Sequence, residues 1–279
     1  MPFAEQVAAR VADLTPAELR TAEVVLAQPQ TVAFGTVAQL AEQAATSGAT
    51  VIRLAVKLGY DGFAGLQDAV QRELTAQLRP AVERIRHVAA EDTLTQVTHQ
   101  EVENLQATLL AADRPSFEEA IDLLSDIQRS VTVCPGDGSR GIGYLLGDQL
   151  LALRDRVNVA DGGAVRLGRE LSPLGAGDVL VLLDLRRYDK TIVDAAVLGR
   201  SRSASIISLT DSRLGPVARM SDCAFVVHAG AIGPFDSQIG TLALVNALIA
   251  AVAHRLRAQA APRLDRTEQA WQQMGALTE

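Results

Sequence analysis

Between Thr36 and Tyr60 the apolar positions follow a helical period that breaks once. Val37, Leu40, Ala41 and Ala44 recur at i, i+3, i+4 and i+7 and share one face. Ala45 to Ser47 interrupts them. Ser47 supplies an N-cap for a second helix, in which Val51, Leu54, Ala55 and Leu58 form the buried stripe while Thr50, Arg53 and Lys57 line the opposite side. Gly59 stops this helix. Two short helices joined by a tight turn, with a Thr and two cations along the second, suit insertion into a DNA major groove. The same pattern also describes an ordinary helical hairpin with solvated charges.

Around this pair the helical period continues. Phe3 to Ala12 reads as a helix. Thr15-Pro16-Ala17-Glu18 opens another, with Thr15 as N-cap, Pro16 at the first helical position and Glu18 at the capping-box position, and it ends near Gln28-Pro29. A helix from about Ala64 to Leu78 carries Leu66, Val70 and Leu74 on one side. Residues 1–79 therefore form an all-helical module. Arg79-Pro80 through Asp92 mixes Pro, Arg and acids without periodicity and reads as a linker. Together with a connecting helix that carries Val102, Leu105 and Leu109, it spans residues 80–112.

From residue 113 to residue 279 the period changes. After a helix over Phe117–Ile127, five short apolar runs alternate with helices: Val131–Cys134, Val157–Val159, Val179–Leu185, Ser205–Leu209 and Ala224–Val227. Their near-continuous apolarity predicts strands covered on both faces, as in a parallel sheet with crossover helices. The longest apolar run, Ile239 to Ala253, contains Asn246 and reads as a buried helix rather than a membrane span. The N-terminal stretch lacks a charged-then-apolar signal pattern, and no membrane partner is expected.

Composition changes this picture only locally. The net charge of −7 argues against a uniformly basic surface for indiscriminate nucleic-acid binding. Yet Gln43 to Tyr60 holds Arg53 and Lys57 and no acid, so the presumed reading face is positive within an acidic chain. Cys134 and Cys223 lie far apart in apolar surroundings, which suggests reduced core thiols in a cytosolic protein.

In a parallel sheet, ligands bind beyond the carboxyl ends of strands. Two loops there carry chemistry. In Pro135-Gly136-Asp137-Gly138-Ser139-Arg140-Gly141, three glycines formally fit G-x-G-x-x-G, with Asp161 at the end of the next strand, as a dinucleotide site requires. A smaller anion or a plain tight turn fits as well, and Asp137 would repel pyrophosphate. In Asp184-Leu185-Arg186-Arg187-Tyr188-Asp189-Lys190, two arginines offer planar forks to a phosphate or carboxylate, or pair with Asp184 and Asp189. His87, His99, His228 and His254 are scattered, and no catalytic or metal constellation is visible, so neither an enzyme nor a cofactor is expected, the alternative reading being a sugar-phosphate isomerase or a nucleotide-binding enzyme that uses the glycine loop.

Taken together, the two halves resemble the RpiR-type transcriptional regulators, which join an N-terminal helix-turn-helix domain to a C-terminal sugar-isomerase (SIS) domain. The resemblance rests on Leu14-Thr15-Pro16-Ala17-Glu18-Leu19-Arg20, Gln28-Pro29, Val37-Ala38-Gln39-Leu40-Ala41, Ala49-Thr50-Val51-Ile52-Arg53-Leu54 and Lys57-Leu58-Gly59-Tyr60-Asp61-Gly62-Phe63 in the first half. In the second half it rests on Gly177-Asp178-Val179-Leu180-Val181 and Ser208-Leu209-Thr210-Asp211-Ser212, followed by Pro216-Val217-Ala218 and Ser221-Asp222. It implies an all-α helix-turn-helix domain joined to an α/β SIS domain with a five-stranded parallel sheet flanked by helices. It further implies DNA contacts from Ser47, Ala49, Thr50, Arg53 and Lys57, a palindromic operator, a homodimer or homotetramer, and control by a small anionic effector, a phosphosugar or sugar acid.

The expected ligand residues are Gly136, Gly138, Ser139, Arg140, Asp184, Arg186, Arg187 and Lys190. Family members that hold sugar phosphates typically carry G-x-G-x-S after the first strand and S-x-S-G-x-T after the third. Here Arg140 falls at the first serine position when Gly136 and Gly138 are aligned to the glycines. Aligning Ser139 instead puts Pro135 and Asp137 at the glycines. The later loop offers Asp184, Arg186, Arg187 and Asp189. Two inferences stay open: a different anion site built from Arg140, Arg186 and Arg187, or a pocket closed by internal pairing in a domain that only oligomerises.

Overall fold

A computed structural model describes residues 3–27, 29–78, 81–87, 92–213 and 215–276. The chain divides into two units, Met1–Pro80 and Ala81–Glu279.

The first unit is helical: α1 (Phe3–Arg10), α2 (Pro16–Ala27), α3 (Pro29–Phe34), α4 (Val37–Gln43), α5 (Gly48–Lys57) and α6 (Gly62–Leu78). Thr15 and Glu18 form the capping box of α2, with Glu18 Oε2 accepting from the Thr15 N–H and hydroxyl at 2.9 Å each. Thr36 and Gln39 form a second box at α4. The break at Ala45 is a left-handed turn: Ala45 has φ 47°, and the Thr46 N–H reaches back to Ala41 O at 2.8 Å. Gly59, at φ 93°, ends α5 with the Tyr60 N–H donating to Ala55 O at 2.9 Å. Leu40, Val51, Leu54, Ala55, Leu58, Leu66 and Val70 meet in one core, where α5 packs against α2, α4 and α6. Each fully buried leucine contributes about 2 kcal/mol of transfer free energy. The side chain of Leu74, expected on this stripe, lies outside the described residues.

The second unit begins with α7 (Ala81–Arg84), a 3-10 turn (Ile85–His87), α8 (Thr93–Ala111) and α9 (Arg114–Ser125). Strands β1 (Val131–Pro135), β2 (Val157–Val159), β3 (Val179–Leu183), β4 (Ser205–Thr210) and β5 (Cys223–Val226) then alternate with α10 (Arg140–Leu153), α11 (Ala164–Leu171) and α12 (Lys190–Ser201). Helices α13 (Ile239–Arg255) and α14 (Arg257–Met274) follow. All strand pairs are parallel, in the order β2-β1-β3-β4-β5, with Val131 opposite both Val157 and Val179. Because side chains alternate along a strand, Val131, Val133, Val179, Val181, Ile207 and Leu209 enter a core with α9, α10 and α13. Cys134, Leu180, Leu182 and Ile206 enter a second core with α11 and α12. The result is a three-layer sandwich.

Helix α8 turns a polar face inward. Its buried residues are Asn104 and Thr108, whereas Val102, Leu105 and Leu109 are exposed. Asn104 Nδ2 donates to Gly230 O at 2.7 Å, and Thr108 Oγ1 accepts from the His228 N–H at 2.8 Å, so polar groups seat α8 against the segment after β5. Buried Arg154 closes the end of α10, donating to the carbonyls of Leu124 at 2.7 Å, Asp126 at 2.9 Å and Asp155 at 3.1 Å, and to that of Arg129. Both cysteines are buried, and burial pushes each thiol up to about 12. Among the described residues no single helix is long and apolar enough to cross a membrane.

Candidate functional site

Ser47 caps α5, its Oγ accepting from the Thr50 N–H at 3.2 Å. The outward face of α5 consists of Ala49, Ile52, Arg53, Val56 and Lys57. Thr50 is not on it. The expectation that Thr50 lines the exposed side is corrected: it is buried, its Oγ1 lying 3.0 Å from Ser47 Oγ and accepting from Arg53 Nη2 at 3.2 Å. Lys57 is exposed, but its charge is engaged. Its Nζ donates to Glu18 Oε2 at 2.7 Å and to Asp13 O at 3.1 Å. Burial pushes the Glu18 carboxyl up, yet the bonds from Lys57 and Thr15 outweigh it and hold the group below its ordinary value. Arg53 takes part in no ion pair among the described residues. The sequence reading missed Ile52 and Val56, which are 45% and 58% exposed. The signal was present: Val51, Leu54, Ala55 and Leu58 already fill the buried stripe, so two further apolar residues had to lie outside it.

In the second unit the strand order reverses direction between β1 and β3, the switch point beyond whose carboxyl ends ligands bind in such sheets. A cleft of about 530 Å³ opens there. The loop after β1 supplies Asp137, Gly138 and Ser139, and the loop after β3 supplies Asp184, Arg186, Arg187 and Asp189. Gly136 lies behind them, and a Cβ at this position would stand 2.7 Å from Asp184 Oδ1, so only glycine lets the two loops approach this closely. Asp184 accepts from the Asp189 N–H at 3.0 Å. Burial raises its carboxyl to about 7, with that bond opposing. Asp189 caps α12, accepting from the N–H of Thr191 at 2.8 Å.

The three arginines expected together are not together. Arg140 pairs with Asp137 at 3.0 Å and Asp161 at 3.1 Å and does not line the cleft. Lys190 pairs with Asp194 and is likewise outside it. Arg186 lines the cleft but pairs with neither Asp184 nor Asp189; its partner is Asp236, at 2.9 Å. Arg187, held in the left-handed region at φ 64°, is exposed and takes part in no ion pair among the described residues. Asp161, the acid a nucleotide site would turn to a ribose, is engaged by Arg140. Leu185 also lines the cleft; Arg84, Phe235, Asp236 and Gln238 do so too and were not anticipated. Arg84 stands in the presumed linker, and the others lie on the segment between β5 and α13, which has no periodicity to mark it.

The helix-turn-helix domain model of the rpiR family matches residues 1–77, and the SIS domain model matches residues 155–251. The chain belongs to the RpiR-type regulators. This RpiR-type regulator is 27% identical over 274 residues to the HTH-type transcriptional regulator HexR of Pseudomonas aeruginosa, covering 95% of this chain and 94% of the relative. It is 25% identical over 279 residues to HexR of Escherichia coli, covering 97% and 94%. The sugar isomerase domain of an RpiR transcription factor from Sphaerobacter thermophilus superposes with a TM-score of 0.61 at 27% identity, over 64% of this chain and 99% of that one. Vibrio vulnificus NanR, solved as a complex with ManNAc-6P, shares the fold with a TM-score of 0.58 at 20% identity, over 99% and 100% of the two chains.

Proposed function

We propose that this RpiR-type regulator acts in the cytoplasm, binds a palindromic operator through the turn and second helix of its helix pair, and responds to a small anionic metabolite in the SIS cleft. Ser47, Ala49 and Arg53 make the DNA contacts, with Ile52 and Val56 on the same outward face. The observation that carries the reading is the distribution of charge: among the described residues Lys57, Arg84, Arg140, Arg186 and Lys190 are spent on carboxylates, whereas Arg53 on α5 and Arg187 at the cleft are not. A guanidinium that is not neutralised by a carboxylate keeps donors to offer a phosphate or carboxylate. The cleft, at about 530 Å³, has room for a sugar phosphate or sugar acid, and a relative of the same fold is named as a complex with a phosphorylated sugar. A homo-oligomer accords with the exposed stripe Val102, Leu105 and Leu109 on α8, which a second copy would cover.

The test is operator binding measured by fluorescence anisotropy across a salt series, with calorimetry over a panel of sugar phosphates and sugar acids. Arg53→Ala is expected to cost about 1–3 kcal/mol of operator affinity. Failure to retain any genomic fragment at moderate salt refutes the DNA reading. If no panel member binds, and an Arg186→Ala/Arg187→Ala variant regulates like wild type, the effector reading falls.

A further inference from the structure

Asp236 occupies an unusual position in the cleft. Its Oδ1 accepts from Arg84 Nη1 at 2.6 Å and from Arg186 Nε and Nη2 at 3.1 and 2.9 Å. One carboxylate oxygen is thus shared by two guanidiniums, and the trio keeps a net positive charge. Each of the three side chains is only about one-fifth exposed. Two lining groups remain unsatisfied: Arg84 Nε, a buried donor, and Gln238 Oε1, a buried acceptor, have no partner among the described residues. Buried polar atoms without partners are costly, and a ligand that is both an anion and a hydroxyl donor would satisfy both.

We infer that Asp236 is an internal stand-in for the effector's anionic group. A ligand phosphate, or a carboxylate, displaces the Asp236 side chain from between Arg84 and Arg186, and Gln238 Oε1 accepts from a ligand hydroxyl. This deepens the effector reading above and rests on it. It also assigns Arg84, which lies just after the helical unit ends at Pro80, to the ligand site. The segment carrying Asp236 is placed to pass the change on. Arg186 Nη2 donates to Ala229 O at 3.2 Å, Asn104 of α8 donates to Gly230 O at 2.7 Å, and Ser237 donates to Glu101 of α8. Exchange of Asp236 for a ligand therefore alters the contacts of α7 directly and loads those of α8, the two elements that follow the DNA-binding unit in the chain.

An internal competitor lowers apparent affinity by the fraction of time it occupies the site, so removing it must tighten anion binding. The experiment titrates inorganic phosphate into the full-length protein by calorimetry at fixed ionic strength. Asp236→Asn is expected to bind phosphate at least about tenfold more tightly than wild type, and adding Arg84→Ala and Arg186→Ala is expected to abolish the gain. Unchanged or weaker binding by a folded Asp236→Asn protein overturns the inference, as does a gain that survives loss of both arginines. A measurement on wild type stands whether or not the variant folds: saturating phosphate should shift the Nε–Hε resonances of Arg84 and Arg186, and resonances that stay still overturn the assignment. The two readings fail separately. If Asp236→Asn takes phosphate while no sugar phosphate or acid binds wild type, the effector reading fails and the site stands. If a panel member binds wild type but Asp236→Asn gains nothing, the effector reading stands and the stand-in is refuted.

Discussion

Replacing Glu18 by Gln separates the two jobs that Lys57 has been offered, holding the helical unit together and touching DNA. The Gln side chain keeps an acceptor for the Thr15 N–H and hydroxyl, so the capping box survives and only the charge facing Lys57 is lost. A hydrogen bond to a charged, desolvated group is worth roughly 1.5–3 kcal/mol. Lys57, with its side chain 41% exposed, can retreat into water rather than remain stranded, which places the cost at the lower end, about 1.5 kcal/mol. Amide hydrogen exchange in α2 and α5 should therefore quicken by roughly tenfold where it reports opening of this unit. The carboxyl of Glu18 is held below 4.5 in the folded state, so its contribution is fully present above that value and is lost as pH falls through the depressed one. The gap between wild type and variant should accordingly close in acid. Operator binding should move the other way: the released ammonium is free to meet a phosphate, and the slope of log affinity against log salt should steepen by up to about 1. Exchange rates unchanged within threefold, together with a shallower salt slope, would refute the assignment of Lys57 to an internal role.

Four further outcomes can be checked. Ala45→Gly, relieving a left-handed alanine in the turn, should stabilise the helical unit by about 1 kcal/mol in denaturant unfolding. Arg154→Lys should be destabilising by roughly 3 kcal/mol, close to the loss for Arg154→Ala, because an ammonium cannot span the carbonyls that the planar fork joins; thermal melts of both variants would test this. Asp184 has its carboxyl raised to about 7 by burial, so the stability it confers is present below about 4 and is lost as pH rises through about 7; Asp184→Asn should flatten that part of the pH–stability profile and gain most at pH 8. Leu105→Asp, placing a charge in the exposed stripe of α8, should shift the mass measured by light scattering toward the monomer, and an unchanged mass would remove that stripe from the interface.

The architecture was legible because its signals are local and redundant. Capping at Thr15, the arrest at Gly59 and the apolar runs of the strands each follow from spacing alone, and all five strands lie within two residues of where hydrophobicity placed them. The lining of the candidate cleft was legible only in part. Loops after β1 and β3 were found because topology dictates where ligands bind, and glycine and arginine mark them. Arg84 and Asp236 were invisible because their pairing joins positions 152 residues apart. Arg140 and Lys190 were misplaced for a related reason: a cation beside an acid one turn away is satisfied locally before it serves a site. Thr50 was misread because a hydroxyl counts as polar in a periodic pattern, although a threonine bonded to its neighbours fits a core as readily as a valine.

The burial of Thr50 has a consequence for how quickly an operator is released. Its hydroxyl, fixed by Ser47, accepts from the Arg53 guanidinium and restricts that long side chain before any DNA arrives. Immobilising such a side chain on binding ordinarily costs about 0.5–1.5 kcal/mol. Here part of that entropy is surrendered during folding, so the complex should gain residence time rather than speed of association. A nearly isosteric Thr50→Val change would remove no DNA-facing group, release the Arg53 side chain from its hydroxyl partner, and shorten the life of the complex.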